Sequence, residues 1–587
     1  MAQEPTPRDT ARADTLAIPL PDSVRVVFGD TLEAQRDPPG FPARLVPRRP
    51  PGPFVHECDR DCIQSSTALY LLELLTEIVP GFTPLRAGFF SGPHYALDGP
   101  YGPGFVRLFV DGREILPLES GAPDLRRVSL AYLDRVRVAR DAAGLVIDVA
   151  TRRQAEDRAY SRISAGTGEP GLQVLDGIFA NGFGSSLTVE GAFELLDANP
   201  GGVENDAFDA LGRLSFVPGS NRFGLQFEFR TESVERTAAD TTDATRRQLL
   251  LRARAHVTDD VELEAYAATE TFEPDASSVP EDPEEEPREL EAETLGLHLT
   301  ARPGAAWLGL GARLARGDAY PSLSFELRGG VPAGAVRLEA DGRIERWDAF
   351  TTSEARAALS WVDTLLVPIA LRLDAGAGTR GVPRPVDGTA DSVEFRAAGA
   401  AGEIGLGPFR LSGRVEIERV GRSLPFDAPF DSLLQAGTEP VEVRSWEAGF
   451  DGPILPWGAV IPGLAPIRLR GFWRRHDPGA VDALYLPEHV ARAELGFHDT
   501  FFDDNLEIWL LGFVERRGVT RVAQSGEPEP VTLAAYSWPG GHFMFKIGDF
   551  RFFWRLTNPT SLSVGDLPGA DFPRLVNAFG VRWEFFN

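Results

Sequence analysis

Lysine is nearly absent from this chain of 587 residues: it occurs once, at Lys546, and the other basic residues are arginines. Basic charge is short altogether, with 59 Lys and Arg against 86 Asp and Glu for a net charge of -27. Nucleic acid is therefore disfavoured as a partner, because a phosphate-reading surface releases counterions only through a basic face. Long apolar runs are missing too. The best candidate, Leu69 to Val79, is cut by Glu73 and Glu77, so no helix is apolar over the roughly 18 residues that a bilayer demands. The chain has no His-Glu-x-x-His, no Gly-x-Ser-x-Gly elbow and no phosphate loop, and it reads as a non-enzyme without a cofactor. Cysteine is limited to Cys58 and Cys62. With His56 they fall one ligand short of a tetrahedral zinc site. So close a pair in an otherwise cysteine-free chain suits a disulfide in an oxidising compartment, with two lone thiols as the alternative. The first residues carry no apolar core of a secretory signal, and Ala2-Gln3-Glu4-Pro5 reads as the start of a mature chain.

Proline, by contrast, is crowded early. Residues 1–55 are rich in Pro, Asp, Arg and Thr, with prolines at 38, 39, 47, 50, 51 and 53, and they read as a flexible tail. From Ser66 the pattern changes. Ser66 is a candidate cap for a helix carrying Leu71, Leu74, Leu75 and Ile78 at helical spacing, stopped by Pro80-Gly81. Short strands are predicted at Val106–Val110, Val136–Val138 and Leu145–Val149, so residues 56–153 read as a small mixed α+β domain.

Over residues 154–587 the helical signals vanish and period-two alternation takes over. Phe223, Leu225, Phe227 and Phe229 alternate with Gly224, Gln226, Glu228 and Arg230; Val336, Leu338, Ala340, Gly342 and Ile344 alternate with Arg337, Glu339, Asp341, Arg343 and Glu345. Each such strand has one apolar and one charged face. A soluble sandwich of this length would be broken by linkers into smaller domains, and none is evident. Strands of about ten residues, apolar outside and charged inside, fit a transmembrane barrel, and the spacing accommodates about 20–22 of them. A barrel that wide needs a plug. Trp509, Phe513, Phe545, Phe552, Trp554, Trp583 and Phe585 are candidate interfacial aromatics. The acidic run Asp275 to Glu293 reads as a solvated loop tip.

Two stretches resemble the TonB-dependent receptor family. Near the N terminus the ordered set is a short helix ending in Pro80-Gly81, the strand Val106-Arg107-Leu108-Phe109-Val110 before Asp111-Gly112, then Val136-Arg137-Val138, then Ile147-Asp148-Val149-Ala150-Thr151-Arg152. At the other end, Phe550 to Asn558, Pro573-Arg574-Leu575 and Phe579-Gly580-Val581-Arg582-Trp583-Glu584-Phe585 look like the family's last two strands. Where the family carries Arg-Gly-Pro, this chain reads Arg140-Asp141-Ala142-Ala143-Gly144. The resemblance implies a bacterial outer-membrane barrel in contact with lipid and lipopolysaccharide, with residues 56–153 as a plug in the lumen. It also implies uptake of a small ligand such as a siderophore, cobalamin, glycan or peptide, powered by a TonB-type periplasmic energy-coupling protein. Apex candidates for ligand binding are Phe89, Phe90, His94, Tyr95 and Tyr101, whose other reading is packing. Leu16, Ala17 and Ile18 form the candidate energy-coupling segment. A structural or surface-interaction role without active transport is the alternative for such a barrel.

Overall fold

The computed structural model describes residues 41–586 apart from short stretches, the longest being 154–158, 275–288, 422–439, 455–466 and 523–529. Leu16, Ala17 and Ile18, Phe90, and most of the acidic run lie outside the described residues.

The N-terminal domain begins with β1 (Val55–Asp59), α1 (Arg60–Ser65) and α2 (Leu71–Ile78), then β2 (Thr83–Arg86) and β3 (His94–Leu97). It continues with β4 (Arg107–Val110), β5 (Arg113–Glu114), β6 (Leu133–Asp141) and β7 (Gly144–Thr151). Five strands make one sheet in the order β1-β6-β7-β4-β5, and β2 pairs with β3 in a separate hairpin. Helix α2 forms because its leucines recur at helical spacing; Leu71, Leu74, Leu75 and Ile78 are buried in one apolar cluster with Leu108, Val136, Val138, Ile147 and Val149 of the sheet. Ser66 does not cap this helix. It ends α1, and the chain runs on to Tyr70, the true N-cap, which makes no side-chain cap bond. The Ser66 hydroxyl is used elsewhere, donating to Glu77 at 2.6 Å. Cys58 and Cys62 form a disulfide between β1 and α1, with their Cα atoms 5.4 Å apart.

From β8 (Tyr160–Glu169) onward the chain builds one closed antiparallel barrel of 22 strands, sealed where the last strand, Val576–Phe586, pairs with β8. The period-two pattern decides which face is which. Phe227 is 46% exposed on the outside and Glu228 only 7% exposed on the inside; Leu338 is 52% exposed, while Glu345 on the opposite face is buried. Connections alternate in length. At one end most are tight, as at Gly334-Ala335 and Gly407-Pro408, where glycines at φ +62° make turns that a side chain would strain, and residues 454–467 are the longer exception. At the other end lie the long connections, including residues 275–289, 421–440, 518–535 and 558–575. Short turns face the periplasm and long loops the exterior in outer-membrane-type barrels, and β8 enters from the short-turn end. The sheet domain lies in the lumen, touching inward-facing strand residues around the circumference, from Glu194 to Arg582.

The aromatic belt is only partly as expected. Phe545 and Phe552 stack on the outside at 5.2 Å, and Trp583 is exposed near the short-turn rim. Trp509 and Phe513 point inward instead: Trp509 stacks on His498 and Phe513 lies under Arg492. Strand parity decides this, since Leu510 and Val514 between and beyond them hold the outward positions.

A charge on the lipid face near mid-bilayer costs about 2–4 kcal/mol for Arg. Leu338→Arg is therefore expected to impair membrane insertion far more than Glu339→Arg, and Phe227→Arg more than Glu228→Arg. Heat-modifiable migration of the inserted barrel measures this, and equal tolerance within each pair would show that the alternation marks no lipid boundary.

Candidate functional site

Inward-facing strand positions carry arginine, aspartate and glutamate, and the sheet domain meets them with its own. Asp111, in the turn after β4, has Arg153, Arg213 and Arg252 at 3.5, 3.7 and 3.8 Å and accepts from the Thr151 hydroxyl at 2.6 Å. Glu114 on β5 accepts from Arg107 on β4 and from Arg313 and Arg343 of the wall, each at 2.9 Å. Arg555 of the wall grips both oxygens of Glu73 on α2, at 2.7 and 2.8 Å. Asp98 pairs with Arg474, Asp141 with Arg372 and Arg140 with Glu447. Burial by itself would raise the Asp111 and Glu114 carboxyls; the surrounding guanidinium groups outweigh it and hold both below the ordinary carboxylate range. Most of these side chains are buried, because plug and wall approach closely enough to exclude water, so the pairs are not the solvated, freely exchanged kind.

Residues 41–52 add a strap between the sheet and the wall. Wall side chains grip its carbonyls: Arg254 donates to Pro42 at 2.5 Å, Arg328 to Arg48 at 2.9 Å and Arg337 to Pro51 at 2.7 Å. In return Arg44 donates to Asp111 O and Glu264, Arg48 pairs with Glu326, and Arg49 pairs with Asp141. The strap's arginines thus join the network that holds the sheet.

Cavities remain between plug and wall. One of about 700 Å³ lies toward the long-loop end, lined by Tyr70, Arg86 and Phe89 of the plug and Phe513, Trp538 and Phe572 of the wall and its loop. A second, of about 930 Å³, opens toward the short-turn end beside Phe54, His56, Arg410 and Phe450. The apex candidates separate here. Phe89 lines the first cavity. His94 packs at a tilt against Tyr70 with ring centres 4.2 Å apart, its ring hydrogen-bonded to Phe89 O and its amide donating to Asp124. Burial, reinforced by Arg126, pushes the His94 ring down to about 3, so it is neutral. Tyr95 is buried in a cluster with Leu85, Tyr485 and Leu567, and Tyr101 packs on Phe105 and Phe395. Trp538 and Phe572 had no local signal in the sequence, because they reach the plug only through barrel closure. Arg86 approaches both rings, at 5.5 and 4.9 Å.

No family model matches the sequence, and no curated relative matches it. The fold is that of solved receptors. The siderophore receptor PirA from Acinetobacter baumannii superposes with a TM-score of 0.70 at 9% identity, over 91% of this chain and 98% of that one. A mutant of the ferric enterobactin receptor PfeA from Pseudomonas aeruginosa gives 0.71 at 12%, over 91% and 98%. The FrpB iron transporter from Neisseria meningitidis gives 0.67 at 12%, over 94% and 100%.

Removing the carboxylate shared by three arginines leaves Arg107 with acids only at 3.9 Å and makes Arg313 and Arg343 share Glu345, and breaking a buried pair costs up to about 3–5 kcal/mol. Glu114→Gln is expected to loosen the plug by that order, read as a lower denaturant midpoint for the N-terminal domain with the barrel still folded. The pH dependence has a defined sign. Carboxyls held below their unfolded values stabilise the docked state above the unfolded pKa and lose that contribution as pH falls toward the folded one. The midpoint should be flat above about pH 5 and fall below about pH 4 in the wild type, and fall less in Glu114→Gln.

Proposed function

We propose that this protein is an outer-membrane receptor that takes up a scarce small nutrient, with a TonB-type periplasmic protein supplying the energy. The observation that carries this reading is a separate domain occupying the lumen of a 22-strand barrel and held there by ion pairs, hydrogen bonds and apolar contacts to the wall. A barrel of this width would otherwise be an open pore. The solved structures that share the fold are described as siderophore receptors and iron transporters, which favours a chelated or similarly bulky solute over an ion. Siderophore, cobalamin, glycan and peptide are the candidate classes. The ligand is received at the long-loop end, where Phe89, Trp538 and Phe572 offer aromatic faces and Arg86 a cation. His94, Tyr95 and Tyr101 shape that apex from within, and Phe90 adjoins Phe89 in sequence. Leu16, Ala17 and Ile18 form the segment that the energy-coupling protein engages.

Deleting residues 1–25 tests this. Cells carrying the deletion are expected to insert the barrel normally and to lose accumulation of a labelled nutrient from the four classes. If no uptake of any class depends on the protein or on that segment, the receptor reading gives way to a structural role.

A further inference from the structure

The cavities at the plug boundary are not spread evenly. The outer cavity and the inner one share two lining residues, Glu77 on α2 and Arg492 on the strand His489–Phe501. A third space of about 450 Å³, beside Cys62, Trp509 and His542, also has Glu77 in its lining. Strand direction places them along the barrel axis. Trp538, Thr557 and Val576 of the outer cavity sit where their strands meet long loops, while Glu403 and Arg410 of the inner one flank the short turn Gly407-Pro408 at the opposite end. Together the spaces run nearly the length of the lumen along one side of α2. On the far side of the sheet, a cavity of about 560 Å³ is bounded by the strap residues Arg48, Arg49 and Pro50 and shares no lining residue with the others.

Two side chains line both cavities at this junction. Glu77 is bonded to the Ser66 hydroxyl and, among the described residues, has no ion pair. Arg492 pairs with Glu494 at 2.6 Å and Glu515 at 3.4 Å, yet its Nη2 has no hydrogen-bond partner among the described residues. A buried guanidinium nitrogen without an acceptor, facing two cavities, is costly unless a polar guest or water satisfies it.

Resting on the receptor reading, we infer that the solute's route through the lumen follows α2 along the wall formed by the strands Thr389–Leu406 to Val576–Phe586, and that Glu77 and Arg492 form its constriction. The constriction suits a polar solute with both acceptor and donor groups: acceptors meet Arg492 Nη2 and donors meet the Glu77 carboxyl. Opening it requires two side chains to move and leaves the sheet, the strap and the disulfide in place.

Ion conductance of the purified full-length protein in planar lipid bilayers tests the route without any nutrient or energy-coupling partner. Glu77→Ala is expected to join the cavities and raise conductance several-fold over wild type, and Glu77→Gln, which keeps the volume, to stay near wild type. Glu194→Ala removes a carboxyl that accepts from Ser129 at 2.7 Å on another side of the plug, and it is expected to stay tight. Glu77→Ser serves as a second opening variant should Glu77→Ala insert poorly. Conductance unchanged in the opening variants, or raised equally by Glu194→Ala, overturns the assignment. A conducting Glu77 variant in a protein that supports no uptake overturns the receptor reading alone.

Discussion

The charge inside the barrel must be neutralised where water is scarce, and most of the architecture answers that demand. A transmembrane strand with an apolar outer face has every second residue free to be polar, and this chain fills those positions with arginine and acid. Charges left alone in a narrow lumen would be strongly penalised. Plug and wall therefore satisfy each other: Glu114 draws together Arg313 and Arg343 from two different strands, and Arg555 clasps Glu73 on the plug's main helix.

Arginine suits this demand. A guanidinium offers several donors in a fixed plane and can bridge two carboxylates or a carboxylate and a carbonyl at once. Arg213 bonds Glu190, Glu228, Thr151 and the Arg152 carbonyl together, which a single ammonium could not do with equal geometry. Such pairs bring specificity of placement more than net stability. They dock the plug in one orientation.

Much of the barrel was legible from local pattern. The alternation in Val336 to Glu345 and in Phe223 to Arg230 identified strand, lipid face and lumen face without reference to any neighbour, because strand geometry forces side chains to opposite sides. Helix α2 was equally readable from its leucines. Legibility failed where a residue's role depends on partners distant in sequence. Ser66 looked like a helix cap and instead serves Glu77; Trp509 and Phe513 looked like belt aromatics and turned inward, since the aromatic type alone does not reveal parity. The apex stretch could be named as a group, but only barrel closure brought Phe572 and Trp538 to Phe89 and left Tyr95 and Tyr101 to packing.

The sequence by itself determined that this chain makes a wide antiparallel barrel with an apolar exterior, a charged interior and a small α+β domain ahead of it, for those properties follow from period, composition and spacing. Only the tertiary structure decided which arginine meets which carboxylate, how residues 41–52 are threaded between sheet and wall, and that the cavities converge on Glu77 and Arg492. Those outcomes depend on the rotation and depth at which one folded domain sits inside another, and many alternative pairings of the same charges are compatible with the same alternation.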